Sequence, residues 1–338
     1  MSQAVLDVPS PETRLADAVR RGLRLPDSVP VTMTEVGELA NINYVYRVEV
    51  PGRRLYLKVV PEQPKRLPVK LPRERVFSEA EALRLFRALA GESIVIPEVL
   101  FVDNEEMALA MSDAGAGREV LFHVINDRFD LLTEQAESLG RALGAIHRGT
   151  RGSASLRPQM EEIIIRKIVF HGLLAPGAMH VFPELWEDVS AEMQSHHECL
   201  IHADLWSKNL LVRKGEPVAL VDFEGVVCGD PAFDLGTVIA VALVPGIGND
   251  ELLSDALSFV SRFLDAWQPA EWPGNVLSRT FRATATFLAA RGFGPFAYAM
   301  SDVARQRIAM LAQSLAMEPP ASFDAFDARV MQYATMSP

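Results

Sequence analysis

The chain has 338 residues, of which 49% are hydrophobic and 23% charged, and its formal net charge at pH 7 is −11. This length allows two domains or lobes, and the composition is that of a globular protein. The negative charge disfavours a nucleic-acid partner, because proteins that grip phosphates normally present a basic face. Two cysteines, Cys199 and Cys228, are too few for a disulfide framework and fit a reducing, cytoplasmic compartment.

The N-terminal region carries no pattern that would direct the chain to a membrane. No apolar run approaches the roughly 20 residues that cross a bilayer, and the first residues lack the basic-then-apolar order of a signal peptide. Residues 1–27 contain one candidate helix, Pro11 to Leu23, which we expect to be a packing extension. The sequence thus predicts no membrane partner, and it leaves the oligomeric state open.

Residues 28–112 are predicted to form an N-lobe made of a small antiparallel sheet and one helix. The strands are expected at Val31–Val36, Leu39–Val50, Arg53–Val60, Ile94–Val102 and Met107–Met111. A Pro51–Gly52 turn joins the second strand to the third. The turn Glu38–Asn43 is either a plain hairpin or a phosphate-covering loop, because it has small and amide side chains but only one preceding glycine.

Lys58 lies in the third strand among apolar neighbours. A lysine in this setting either extends its ammonium group to solvent at an edge or has a buried anionic partner. The helix predicted at Arg73–Ala90 offers two glutamates. Glu81 falls on its polar face, whereas Glu79 flanks the apolar stripe, so Glu79 is the expected partner of Lys58.

The rest of the chain is predicted to be mainly helical. The proline-spaced basic segment 61–75 is favoured as a surface connection over a flap that covers phosphates or substrate. Small residues at 113–118 predict a hinge, and 119–338 a C-lobe. His147 ends one helical stripe, where a hydrogen-bonded structural histidine is favoured over a ligand. Further helical patterns occur near 160–173, 183–196, 250–268, 276–291, 299–316 and 322–334.

Acidic residues concentrate around a predicted hairpin with short apolar strands at 210–212 and 218–221. Asp204 and Asn209 precede its first strand and Asp222 follows its second, so the three side chains should lie at one end of the hairpin. Carboxylate and amide oxygens are the ligands that Mg²⁺ prefers. This arrangement therefore predicts a site for Mg²⁺ and a reacting hydroxyl.

Each part of a phosphoryl-transfer site has a candidate residue. Asp204 is the candidate general base for a substrate hydroxyl. Asn209 and Asp222 are candidate metal ligands, and Glu224 could hold the metal directly or through water. Lys58, oriented by Glu79, would contact the α- and β-phosphates of a nucleotide.

The motifs HADLWSKN at 202–209, VDFE at 221–224 and GDPAFDLG at 229–236 resemble the aminoglycoside phosphotransferase and choline kinase superfamily, small-molecule relatives of protein kinases. The resemblance covers residues 33–240 and implies a bilobal, protein-kinase-like α+β fold that uses ATP with Mg²⁺. It also implies structural roles for His202, Asp230 and Asp234, and it places Asn41 and Asn43 in the turn that covers the nucleotide.

Further segments are similar to particular branches of this superfamily. NINYVYRV at 41–48 and the basic segment after Lys58 resemble methylthioribose kinases, and LWSxN at 205–209 resembles fructosamine kinases. Glu224 stands where protein kinases carry glycine, and no APE segment follows. Both features argue against a protein kinase.

The sequence predicts an ATP-dependent phosphotransferase that moves the γ-phosphate to a hydroxyl of a small polar molecule, such as a sugar, an amino alcohol or an aminoglycoside. The alternatives are a nucleotide-binding pseudokinase or regulator, and a kinase of protein hydroxyls. The joint presence of Lys58, Asp204, Asn209 and Asp222 argues against the pseudokinase. The C-terminal helices carry no motif that names the acceptor.

Overall fold

The computed structural model describes residues 10–36, 42–66, 70–154, 156 and 162–336. The chain divides into two compact units, one formed by Met1–Leu85 with Pro97–Ala116 and the other by Phe86–Ile96 with Gly117–Pro338. The division after residue 116 falls inside the segment 113–118 that is expected to be the hinge. Residues 86–96, in contrast, belong to the second unit and not to the N-lobe in which the sequence places them.

Two contacts explain this reassignment of residues 86–96. The ring of Phe86 packs edge-on against Phe223, with 5.5 Å between ring centroids. The backbone N–H of Val95 donates to the Val218 carbonyl at 2.9 Å. The strand predicted at Ile94–Val102 is therefore broken. Proline at position 97 lacks a backbone donor, and the regular strand begins only at Val99.

The described part of the first unit is built on a five-stranded antiparallel sheet. The strands are β1 (Thr32–Glu35), β2 (Tyr44–Val50), β3 (Arg53–Val59), β4 (Val99–Asp103) and β5 (Ala108–Ser112). Their order across the sheet is β1-β2-β3-β5-β4. The predicted turn between β2 and β3 is confirmed, and Gly52 supplies its positive φ of 75°.

Helix α1 (Pro11–Leu23) packs on this sheet and has the bounds that the sequence predicts. Ser10 caps it by accepting the Thr13 N–H at 3.2 Å. Its buried residues Leu15 and Val19 join the apolar cluster of the sheet. The segment is thus part of the first unit's core.

Helix α2 (Arg75–Ala90) carries the predicted apolar stripe. The members of that stripe are all buried: Val76, Ala80, Leu83, Phe86 and Ala90. Burial of one face is what stabilises a helix of this kind, since propensity alone contributes little.

Helices predominate in the described part of the second unit, which also contains two small antiparallel sheets. The strands are β6 (Glu119–Val120), β7 (Cys199–Ile201), β8 (Leu210–Val212), β9 (Ala219–Leu220) and β10 (Val227–Gly229). One sheet has the order β6-β8-β9, and β7 pairs with β10 in the other. The predicted hairpin is therefore the β8–β9 pair.

In the described part of the second unit, six helices precede the motif at 202–209 and five follow it. They are α3 (Leu121–Val124), α4 (Asp130–Thr133), α5 (Ala136–Gly149), the π-helical α6 (Glu162–Leu174), α7 (Ala175–Val181), α8 (Trp186–Ser195), α9 (Pro231–Gly248), α10 (Asp250–Trp267), α11 (Val276–Phe293), α12 (Asp302–Met317) and α13 (Phe323–Ala334). The last four match the four amphipathic segments read from the sequence.

Helix α9 forms the core of the second unit and packs against α10 and α11. By length and composition it could cross a membrane, but 94% of its 18 residues are buried inside the protein. Because it is apolar on all sides, it lacks the amphipathic stripe that reveals a surface helix. Its burial is that of a core helix.

Candidate active site

Asp204 and Asn209 lie in the loop between β7 and β8, and their side chains are hydrogen-bonded to each other. The Asn209 Nδ2 group donates to Asp204 Oδ2 at 2.6 Å and to the Asp204 backbone carbonyl at 2.8 Å. Within the described residues, the second carboxylate oxygen of Asp204 accepts no hydrogen bond. The amide thus fixes the carboxyl group through one oxygen and leaves the other available for a proton.

The backbone of this loop is strained and is held by Asp234 in α9. Ala203 has a φ of 62°, which costs a non-glycine residue about 1–3 kcal/mol. The Asp234 carboxylate accepts the N–H of His202 at 2.8 Å and that of Ala203 at 2.9 Å. Hydrogen bonds to a charged acceptor are stronger than neutral ones. Asp234 therefore stabilises the conformation that presents Asp204.

A buried histidine orients Asp234 in turn. His147 Nε2 lies 3.2 Å from Asp234 Oδ2, and the indole N–H of Trp267 donates to His147 Nδ1 at 3.0 Å. Because the indole can only donate, Nδ1 accepts and the proton of the neutral ring sits on Nε2, facing the carboxylate. His147 and Asp234 are fully buried. His147 is thus a hydrogen-bonded structural residue.

His202 supports the loop from within. Its Nδ1 accepts the backbone N–H of Asp204 at 3.3 Å, and its ring packs against Phe223 with 4.7 Å between centroids. The buried Nε2 of His202 has no hydrogen-bond partner among the described residues. The fully buried side chain is therefore packed between the loop backbone and Phe223.

The β8–β9 hairpin brings Asp222 next to Asn209. The N–H of Val221 donates to the Asn209 carbonyl at 3.1 Å, so the chain reaches Asp222 directly beside the loop. Asp222 has a φ of 67°, the second strained non-glycine residue of the site. Gly225 lies so close to the loop that an added Cβ would be 3.0 Å from the His202 carbonyl oxygen. The two segments are therefore closely packed.

The residues at this end of the hairpin fit Mg²⁺ by the chemistry of their donors. Asp222 and Glu224 are half-buried carboxylates. The Asn209 amide donates through Nδ2, and its Oδ1 makes no hydrogen bond within the described part of the chain. Hard oxygen ligands of this kind suit Mg²⁺, which keeps several waters or phosphate oxygens. No group of three or more His, Cys, Asp or Glu side chains is placed to hold a metal anywhere in the described residues, so a metal here would depend on the Asn209 amide and on phosphate oxygens as well.

The predicted partner of Lys58 is confirmed. In the first unit, Lys58 Nζ lies 2.7 Å from Glu79 Oε1, and the two side chains are 4% and 1% exposed. Glu79 Oε2 is buried without a hydrogen-bond partner among the described residues. Glu81 is exposed on the other face of α2. A buried pair of opposite charges is thus fixed between β3 and α2.

The predicted nucleotide-covering turn is only partly described. Asn41 lies outside the described residues, as do residues 37–40. Asn43 is buried, and its Oδ1 accepts a hydrogen bond from Arg75 at 3.0 Å. Arg75 also donates to the Pro61 carbonyl at 2.8 Å. Asn43 therefore anchors the start of the basic segment, and its contact with a cofactor stays a prediction.

Asp230 begins α9 and holds Arg279. It caps the helix by accepting the Ala232 N–H at 3.0 Å, and it lies 2.7 Å from Arg279 Nε. Burial opposes the charge of the guanidinium, but the hydrogen bond and charge of Asp230 raise the pKa of Arg279 above its ordinary value. Arg279 could not be found from the sequence, because it lies 49 positions beyond Asp230 in a helix without a motif.

Residues 38–274 match the model of the phosphotransferase enzyme family, APH. The chain belongs to this family. The match covers the Lys58 strand, the Asp204 loop, the β8–β9 hairpin and all of α9, and it therefore includes the elements that carry the motifs.

The chain is similar to curated kinases and to solved structures. It is 26% identical over 219 residues to the 4-hydroxytryptamine kinase of Psilocybe cyanescens, covering 56% of this chain and 59% of that protein. It is 28% identical over 199 residues to the 4-hydroxytryptamine kinase of Psilocybe cubensis, covering 49% and 54%. The chain thus matches little more than half the length of these relatives.

Two solved structures share the fold at low identity. A microcompartment-associated aminopropanol kinase is 17% identical with a TM-score of 0.51, covering 95% of this chain and 98% of that one. The aminoglycoside phosphotransferase APH(4)-Ia is 16% identical with a TM-score of 0.51, covering 94% and 99%. The α+β, kinase-like fold expected from the sequence is therefore confirmed.

Proposed function

We propose that this protein is a kinase that transfers the γ-phosphoryl group of ATP to a hydroxyl of a small polar molecule. The observation that carries the proposal is the Asp204 carboxylate, fixed through one oxygen by Asn209 at 2.6 Å and open at the other. Membership in a phosphotransferase family and similarity to proteins named as kinases of hydroxytryptamine and aminopropanol support it.

The open oxygen of Asp204 would take the proton of the acceptor hydroxyl as the hydroxyl oxygen attacks the γ-phosphorus. The bond from that phosphorus to the β-phosphate oxygen then breaks, and ADP leaves. General-base assistance of this kind contributes roughly 10²–10⁴ in rate. Asn209 keeps the carboxyl group in place during the transfer, and Asp234 keeps the loop backbone in place.

Asp222, Asn209 Oδ1 and Glu224 would hold Mg²⁺, which neutralises phosphate charge when bound. In the first unit, Lys58 would bind the α- and β-phosphates while Glu79 orients its ammonium group. We infer a cytoplasmic location from the low cysteine content, two residues that are both buried, Cys199 and Cys228.

ATP consumption across a panel of sugars, amino alcohols, hydroxylated aromatic amines and aminoglycosides tests the function. A phosphorylated product identified by mass spectrometry, absent with the Asp204→Asn variant, supports it. The matched control is Asp250→Asn, which alters a carboxylate that is 66% exposed and pairs with Arg307. Tight ATP binding without turnover of any acceptor would favour a regulator, and a labelled protein product in a lysate would favour a protein kinase.

A further inference from the structure

A cation lies against the loop that carries Asp204. Arg291 is in the last turn of α11, and its guanidinium carbon is 3.2 Å from the centroid of the Trp206 ring. Trp206 follows Asp204 in the loop and is only 6% exposed. A guanidinium over the face of an indole is attracted by the charge distribution of the ring. Arg291 is thus held flat against the catalytic loop.

Tyr298 connects the segment after α11 to the same loop through hydrogen bonds. Its backbone N–H donates to the Arg291 carbonyl at 2.8 Å, and its hydroxyl lies 3.1 Å from Ser207 Oγ. The guanidinium carbon of Arg291 is 5.2 Å from the Tyr298 ring centroid. Trp206, Ser207, Arg291 and Tyr298 all lie in the second unit, as Asp204 does.

Some N–H donors of the Arg291 guanidinium have no hydrogen-bond partner among the described residues. Nη1 donates to the Phe296 carbonyl at 3.3 Å, and the buried Nε has no partner among the described residues. Nη2 makes no hydrogen bond within them, and no described carboxylate forms an ion pair with Arg291. The other arginines of α11 differ in this respect, since Arg279 pairs with Asp230 at 2.7 Å and Arg282 with Glu192 at 2.6 Å.

The pKa of Arg291 reflects its burial and the charges around it. Burial lowers the pKa of Arg291, and the charges of Tyr298 and Asp204 act in the opposite direction. Arginine nevertheless remains protonated in proteins, so Arg291 is a half-buried cation without an ion-pair partner among the described residues. Asp204 is near enough to interact with it through space. An anion bound at Nη2 would supply the missing partner.

We propose that Arg291 binds a carboxylate on the acceptor, and that the preferred acceptors are therefore hydroxy acids. The inference rests on the proposed kinase function and names its substrate class. A planar carboxylate matches the planar guanidinium in geometry and charge, whereas a fixed cation disfavours an acceptor whose nearest group is an ammonium. Phe122, 41% exposed and 5.6 Å from the Tyr298 ring, offers apolar surface for the carbon skeleton.

Matched acceptor pairs test this specificity: gluconate against glucosamine, glycerate against ethanolamine, and para-hydroxyphenylacetate against tyramine. The wild-type protein is expected to prefer the acid of at least one pair in kcat/KM. Arg291→Met should lower kcat/KM for that acid by about 10- to 100-fold, the range for a hydrogen bond to a charged group. The loss should fall mainly on KM and spare the amine. Arg291→Lys keeps the charge but not the planar donors, so its kcat/KM for the acid should lie between those of the wild type and Arg291→Met. This variant also serves as the test if Arg291→Met fails to fold.

The matched control is Arg262→Met, which removes an arginine that is 43% exposed on α10. A direct binding measurement accompanies the kinetics: the shift of the thermal midpoint by each acid without nucleotide, which Arg291→Met should abolish. Acids that bind through Arg291 while no acceptor of either kind is phosphorylated would contradict the kinase function and leave Arg291 as a carboxylate-binding site. Amines that are phosphorylated while the acids neither bind nor react would overturn the inference and leave the kinase standing. An equal fall of kcat for every acceptor would also overturn it, because Arg291 would then act on the transferred phosphoryl group.

Discussion

Asp234 holds Ala203 in a left-handed conformation, with the Ala203 N–H 2.9 Å from Asp234 Oδ1 and a φ of 62° at Ala203. The residue that follows Ala203 is Asp204, so a contact made in the core helix α9 determines where the proposed base points. A chain of hydrogen bonds thus runs from the buried Trp267 through His147 and Asp234 to the loop.

Asp234→Asn should weaken both stability and turnover. The amide has one acceptor oxygen, so a hydrogen bond from the loop or from His147 is lost in a buried position, at a cost of about 1–3 kcal/mol in the free energy of unfolding. Urea denaturation measures this change in stability. The rate of ATP turnover with an active acceptor reports whether the loop still presents Asp204 correctly. Asp250→Asn, at an exposed carboxylate, is the control. Wild-type turnover in Asp234→Asn would contradict the role assigned to the loop contact.

Asp204→Asn should lower turnover by roughly 10²–10⁴, because the amide cannot take the proton of the acceptor. Nucleotide binding should stay close to that of the parent, since the proposed role of Asp204 is to act on the acceptor and not on the nucleotide. Single-turnover rates and titration with a fluorescent ATP analogue measure the two quantities separately. Unchanged turnover would remove Asp204 from the chemistry.

Asp222→Asn should change the dependence of activity on Mg²⁺. The substitution keeps the shape of a metal ligand and removes its charge, so a higher Mg²⁺ concentration should be needed for half-maximal rate and for ATP binding. Mg²⁺ titrations at fixed ATP measure this. A Mg²⁺ dependence like that of the parent would mean that Asp222 does not hold the metal.

Much of the fold could be predicted because its elements have local patterns. The stripe of α2, the β8–β9 hairpin and the lysine within β3 are each visible in a few consecutive residues. Helix α9 could not be predicted in this way, because burial on every side removes the periodicity. The strand expected from Ile94 was broken, since the sequence does not show that Val95 pairs with the second unit.

The residues of the candidate site also differ in whether a local sequence pattern reveals them. Asp204, Asn209 and Asp222 are found from spacing, because the hairpin brings close neighbours in sequence together. Arg279 and Arg291 lie in α11, far along the chain from Asp230 and Trp206, which they contact, and neither belongs to a motif. Only the packing of the helices reveals such residues.

Lys58→Met should separate structural from functional effects of the buried pair. Removing one partner leaves a buried carboxylate at Glu79, which should cost about 3–5 kcal/mol in the free energy of unfolding. Lys70→Met is the matched control, because Lys70 and Glu62 are 75% and 62% exposed and such pairs contribute about 0–1 kcal/mol. Adding Glu79→Gln to Lys58→Met should recover stability without recovering ATP affinity. ATP binding at the parent's strength in the double variant would contradict the phosphate-binding role of Lys58.

Cys199 should make the stability of the protein fall at alkaline pH. Burial, followed by the nearby carboxylates of Asp234 and Asp230, raises the pKa of its thiol. The folded protein therefore keeps the proton, while the unfolded chain releases it above the ordinary thiol pKa of about 8.5. The contribution is fully present below that pH and is lost as the pH rises, by about 1.4 kcal/mol per pH unit. Urea denaturation of the parent and of Cys199→Ala from pH 7 to pH 10 measures it. The stability difference between the two should be constant up to about pH 8.5 and then shift in favour of Cys199→Ala, and a constant difference over the whole range would contradict the assignment.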